Sequence, residues 1–85
     1  MFYCYILKSK KDNNLYIGST TDLKRRFLEH NSGLVRSTKS RLPLKLIYYE
    51  AYSAEADARH REHNLKLRSK ALAQLLKRIP KSMQG

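Results

Sequence analysis

The sequence predicts an α+β fold, a small sheet with helices packed on it, and three observations carry that expectation. Two apolar runs near the start are separated by turn-forming residues, a third apolar run lies mid-chain, and the remainder shows helical periodicity. The order is strand, strand, helix, strand, helix, helix. Residues 2–7 alternate two apolar sets, Phe2, Cys4, Ile6 and Tyr3, Tyr5, Leu7, as expected of a strand covered on both faces. The polar stretch 8–14 is a turn, and residues 15–18 resume the strand pattern, so the two runs make a hairpin that Gly18 is expected to end.

Ser19, Thr20, Thr21 and Asp22 are N-cap candidates for a helix starting near Leu23 and stopping near Asn31, Ser32 and Gly33. On that helix Leu23, Phe27 and His30 lie close together around the axis, Arg26 shares an edge with His30, and Arg25 points to the opposite side. Residues 34–43 form a basic loop, and residues 44–49 a third strand rich in Leu, Ile and Tyr. Ser53 can cap a second helix with a stripe of Ala54, Ala58 and Leu65 and with Glu62 at its border. Ser69 can cap a third, with Leu72, Leu75, Leu76 and Ile79 inward and Pro80 just past its end. The chain reads as a single domain over residues 1–85, with a core at about 2–67, a C-terminal helix at about 69–79 and a tail, 81–85, expected to fray.

A chain of 85 residues buries roughly 60 to 70 per cent of its unfolded surface, enough for one modest core. It carries 18 Lys and Arg against 7 Asp and Glu, a net charge of +11. Such an excess calls for a polyanionic partner, and counterion release makes nucleic-acid phosphates the expected one. A membrane surface offers the same charge, but neither a hydrophobic anchor nor a leader is legible, so secretion and membrane contact are not expected. Cys4 is the only cysteine, which excludes an internal disulfide and a cysteine-based zinc site and leads us to expect a cytoplasmic location.

Five residues carry chemistry. The hairpin can bring Tyr5 and Tyr16 together, Arg26 and His30 follow one turn apart on the next helix, and Glu62 supplies a carboxylate from a later one. Phosphodiester hydrolysis needs an activated water, a cation on the phosphoryl oxygens and stabilisation of the leaving oxygen. A carboxylate can hold Mg²⁺ together with water and substrate oxygens, and an arginine can clamp a phosphate with two donors.

In these residues the chain resembles the GIY-YIG nucleases, and more narrowly short stand-alone members related to the catalytic domain of structure-specific endonucleases. Tyr3-Cys4-Tyr5 stands where that family has its Gly-Ile-Tyr element, and Tyr16-Ile17-Gly18 is the second element unaltered, with eleven positions from Tyr5 to Tyr16. Arg26 follows ten positions after Tyr16, within a run, Arg25 to Asn31, similar to the family's Arg-Arg-x-x-Glu-His-Asn segment. Glu62 sits where the family keeps its metal-binding glutamate. The resemblance spans about residues 2–66. It implies a three-stranded antiparallel sheet flanked by helices and metal-dependent endonuclease cleavage of DNA, with branched or damaged DNA an expected substrate and RNA an open alternative. It also implies one divalent ion, Mg²⁺ or Mn²⁺, on Glu62. Tyr5 becomes the general base towards water, directly or through a neighbour, which near neutrality requires the metal or Arg26 to lower its pKa from the usual value near 10. Tyr16 positions water or phosphate, Arg26 stabilises the pentavalent phosphate, and His30 donates to it or assists proton transfer. Arg25, Asn31, Arg36, Lys39, Arg41 and Lys45 are the candidate nucleic-acid contacts. One departure is Tyr3 in place of the family's glycine, a larger side chain expected to narrow the site. No separate DNA-binding domain is legible, so a protein partner is a candidate for targeting.

Taken singly, each residue has a plainer role. The tyrosines suit any strand, Arg26 any solvated helix, His30 a helix end, and Glu62 an ion pair with Lys66 at i+4. Their joint spacing is what favours a shared site. His60 and His63 lack a third zinc ligand at usual spacing. Two competing readings remain: a module that binds nucleic acid without cutting it, and a structural basic protein, which accounts for the charge but not the spacing.

Overall fold

The structure, a computed structural model, describes residues 1–67 and 69–84. Strands β1 (Phe2–Ser9), β2 (Leu15–Thr20) and β3 (Leu44–Tyr52) form one antiparallel sheet in the order β2-β1-β3. Helix α1 (Leu23–Asn31) packs on one face; α2 (Glu55–Leu67), α3 (Ser69–Lys77) and a last helical turn, α4 (Pro80–Met83), pack on the other. The α+β class and the three-stranded antiparallel sheet are as expected. No helix among the described residues is long and apolar enough to cross a membrane.

The double burial legible in β1 produces two cores. Cys4 and Ile6 join Ile17, Ile47, Leu65 and Leu75 beneath α2 and α3, while Tyr5 and Leu7 join Leu44, with Leu23, Phe27 and Leu46 packed against them, beneath α1. A β-bulge re-aims β3 between these layers. Ile6 faces Tyr48 but Leu7 faces Leu46, so Ile47 is an extra residue, and Ile47 and Tyr48 both pack on the α2 side. Beyond it Tyr49, the register partner of Tyr5, belongs to the α1 side, and Glu50, the partner of Cys4, to the other.

The element ends differ from expectation in ways that matter to the site. β2 runs through Gly18 to Thr20, because Gly18 pairs with Tyr5 in regular register and does not break the strand. Of the four N-cap candidates Asp22 caps α1, its side chain accepting from the Arg25 N–H at 3.1 Å, and Gly33 takes the left-handed φ of +77° that lets the chain leave the helix. β3 extends to Tyr52. Part of the tail is helical: Pro80 opens α4, and Met83 packs against the α2-side core. The cap expected of Ser69 concerns a side chain outside the described residues.

Candidate active site

Tyr5, at the centre of the middle strand, is 1% exposed, yet its hydroxyl reaches the neighbouring strand because Gly18 has no side chain. A Cβ on Gly18 would lie 2.6 Å from Tyr5 Oη and 3.1 Å from a Tyr16 ring carbon. Tyr5 Oη is hydrogen-bonded to His30 Nε2 at 2.9 Å, and the His30 ring stands edge-on to Tyr16 with centroids 4.9 Å apart. His30, at the inner end of α1, is 0% exposed, and its Nδ1 is hydrogen-bonded to Thr38 Oγ1 at 2.8 Å. Arg26, one turn earlier, is pinned by Glu29 at 3.1 Å and lies near enough to Tyr5 and His30 for its charge to act on both.

These surroundings set the protonation states. Burial pushes the Tyr5 hydroxyl up to about 12, a rise that the neighbouring Arg26 guanidinium opposes and Tyr16 and Glu62 reinforce. A phenol sealed in a core is disfavoured as an anion, and Arg26 by itself does not offset that burial. Burial, then the Arg26 charge, pushes His30 down to about 4, so the imidazole is neutral at pH 7. Arg26 is held even more firmly protonated, chiefly by Glu29.

Glu62 comes from the other side of the sheet. Ser19, on β2 beside Gly18, donates to its Oε1 at 2.6 Å, and Lys66 donates to its Oε2 at 2.7 Å. Burial alone would raise the carboxyl, but Lys66, Ser19 and Arg59 outweigh it and hold it below the usual range. Glu62 opens on a cleft of about 400 Å³ lined by Ser19, Arg59, His63 and Lys66, not by Tyr5 or Arg26. Its charge nonetheless acts on Tyr5. The five residues thus divide into a cluster on the α1 face, in which Tyr5 and His30 are buried and Tyr16 and Arg26 partly exposed, and a carboxylate at the β2 edge, with Gly18 and Ser19 between them.

Several structural residues were not legible in the sequence. Thr38 fixes the His30 ring from inside the basic loop, and Ser19 orients Glu62. Glu50 gathers two hydroxyl donors, Tyr48 and Tyr52, and a forked contact from Arg61 at 3.0 to 3.2 Å, fixing how α2 lies on β3 so that the next residue, Glu62, meets Ser19. Their only sequence signal is polarity, which solvent-facing residues share.

The candidate nucleic-acid contacts divide likewise. Arg36 and Lys39 are exposed, and Arg25 is exposed with a loose ion pair to Glu29 at 3.9 Å. Asn31 is committed elsewhere: its amide donates to Leu44 O at 3.0 Å and accepts from Leu44 N at 2.8 Å, clamping the end of α1 to the start of β3. Arg41 is also committed, donating to Leu15 O at 3.3 Å and paired with Asp12 at 3.4 Å; a guanidinium so enclosed is a strut between loop and hairpin. Lys45 donates to Gln84 O at 3.1 Å. Tyr3 does not crowd Tyr5; its ring packs edge-on against Tyr49, centroids 6.0 Å apart, in a separate cleft.

Comparison with known proteins agrees with this architecture. Residues 1–77 match the GIY-YIG catalytic domain family. The chain is 43% identical over 65 residues to a UPF0213 protein of Staphylococcus haemolyticus, covering 75% of this chain and 78% of that one. It is also 43% identical over 65 residues to a UPF0213 protein of Streptococcus pneumoniae, covering 75% and 65%. The solution NMR structure of the UPF0213 protein BH0048 from Bacillus halodurans superimposes with a TM-score of 0.57 at 34% identity, covering 98% of this chain and 93% of that one. With a match over so much of its length, the chain belongs to the GIY-YIG catalytic domain family, a family of nucleases.

Proposed function

We propose that the protein is an endonuclease that hydrolyses DNA phosphodiester bonds with one divalent ion held at Glu62. The observation that carries the reading is the 2.9 Å hydrogen bond between the Tyr5 hydroxyl and a neutral His30, with Arg26 beside it and Gly18 leaving room. A phenol held near 12 does not take a water proton alone, but a phenol bonded to a neutral imidazole can pass one along. Water adds to phosphorus while its proton goes to Tyr5 Oη and the Tyr5 proton goes to His30 Nε2. The bond from phosphorus to the leaving oxygen breaks, and that oxygen takes a proton from solvent. Thr38 keeps Nε2 facing Tyr5 throughout. Arg26 neutralises charge on the equatorial oxygens, and Tyr16 orients the phosphate.

The donor set at Glu62 fits a cation completed by substrate. No three His, Cys, Asp or Glu side chains converge among the described residues, so one carboxylate, waters and phosphate oxygens would make up a hard oxygen shell. Lys66, half exposed, would yield Oε2. The ion supplies charge neutralisation at the phosphoryl oxygens and lowers the pKa of water. Branched or damaged DNA, a targeting partner and a cytoplasmic site of action belong to the same proposal, with RNA the other substrate to test.

Binding without cleavage is the second reading, and one observation favours it: Tyr5 and His30 are 1% and 0% exposed, so water must be admitted before either acts. Supercoiled plasmid incubated with Mg²⁺ or Mn²⁺, and with chelator, separates the two. Cleavage that needs the ion and falls at least about a hundredfold in Glu62→Ala and Tyr5→Phe supports the enzyme. Intact plasmid at every metal concentration, with DNA still bound, leaves the binding module.

A further inference from the structure

The cleft that holds Tyr3 and Tyr49 has no part in the chemistry above. It encloses about 540 Å³ on the α1 face, walled by Leu23, Phe27 and Leu46, with Lys24 at its rim. Tyr49 is 52% exposed, and its ring packs against Tyr3 at 66° between ring planes, so that much of an aromatic side chain borders the cleft. Tyr3 lies two residues before Tyr5 on the same face of β1, and Tyr49 is the register partner of Tyr5 on β3. The cleft therefore adjoins the buried cluster at a distance of about 7 Å along the strand.

We infer that this cleft receives an unstacked nucleobase from the strand whose phosphate occupies the candidate active site. Three properties select that occupant. A half-exposed aromatic ring beside apolar walls suits a flat heterocycle, and stacking tolerates any base because every base has a π-face. The volume suits one nucleoside-sized group. A net charge of +11 with Lys24 at the rim brings phosphates to the opening, whereas a cationic or neutral ligand gains nothing from that field. Asp22, the one carboxylate in the lining, is turned to the N–H of Arg25 as the α1 cap. The departure at Tyr3 gains a purpose, since a glycine there would leave Tyr49 unsupported.

The inference rests on nucleic acid being the substrate, and it is tested by binding in chelator, where no cleavage is needed. Anisotropy is measured for a labelled thymidine nonamer and for a strand with the same number of phosphates but no bases. The wild type should prefer the thymidine strand by about tenfold, the effect of one stacked base. Tyr49→Ala should lose that preference while binding the baseless strand as before, which also reports an intact fold, and Tyr49→Phe should keep it. Tyr49→Ala retaining the preference, or weakening both strands equally, overturns the inference. Plasmid cleavage is scored separately: nicking without this coupling removes the base site alone, and coupling without nicking removes the nuclease reading alone.

Discussion

His30 pays for its position in the core with a dependence on pH. Its folded value, about 4, lies below the unfolded 6.5, so between these limits the unfolded chain binds the extra proton and is favoured. The stabilising contribution is complete above about pH 6.5 and is lost as pH falls through 4, amounting to about 3 kcal/mol. Urea denaturation at pH 7.5 and 4.5 should show this loss, and a His30→Gln variant should show much less of it. An equal loss in both would move the acid sensitivity to other groups. Gly18 is constrained by space. Gly18→Ala puts a methyl 2.6 Å from Tyr5 Oη, and overpacking of this kind costs about 1 to 3 kcal/mol. Cleavage should fall further than stability, because the displaced hydroxyl leaves His30; a melting curve and a plasmid assay on the same sample compare the two.

Among the elements, the clamp between α1 and β3 gives the sharpest expectation. Asn31 pairs with both backbone groups of Leu44, so Asn31→Asp keeps the acceptor but removes the donor and sets a carboxylate against a carbonyl oxygen. A destabilisation of about 1 to 3 kcal/mol should appear in denaturant titration at pH 7. The same residue shows where reading the sequence stops. Alternation marked β1 as doubly buried, the i, i+4 pair Leu23 and Phe27 gave α1 its inner face, and the spacing of Tyr5, Tyr16, Arg26, His30 and Glu62 picked out residues that the fold sets on adjoining surfaces. Asn31 and Arg41 read in the sequence as phosphate contacts, and polarity alone does not reveal that each also ties two elements together. Their partners Leu44 and Leu15 are 13 and 26 residues away, as Thr38 and Ser19 are distant from His30 and Glu62 by 8 and 43. Such pairings arise only on folding. How strongly burial acts on the Tyr5 hydroxyl was not legible for the same reason, since it depends on the packing of the folded chain.

For the whole molecule, charge governs association. Arg25, Arg36 and Lys39 are exposed on or just after α1, and Arg59 and Lys66 line the cleft beside Glu62. Engagement of about five phosphates gives log affinity for duplex DNA a slope near about −4.5 against log salt. Titrations from low to physiological salt check it, and a flat response would remove nucleic acid as the partner. A last consequence follows from the middle strand serving as a wall for both cores. Local opening of the β1 backbone would have to strip it from two neighbours, each of which it pairs with along nearly its whole length. Amide protons of Cys4, Ile6 and Leu7 should therefore rank among the slowest to exchange with deuterated solvent. Heat should then dissolve the two cores at a common temperature, with no milder step at which the one is lost and the other survives.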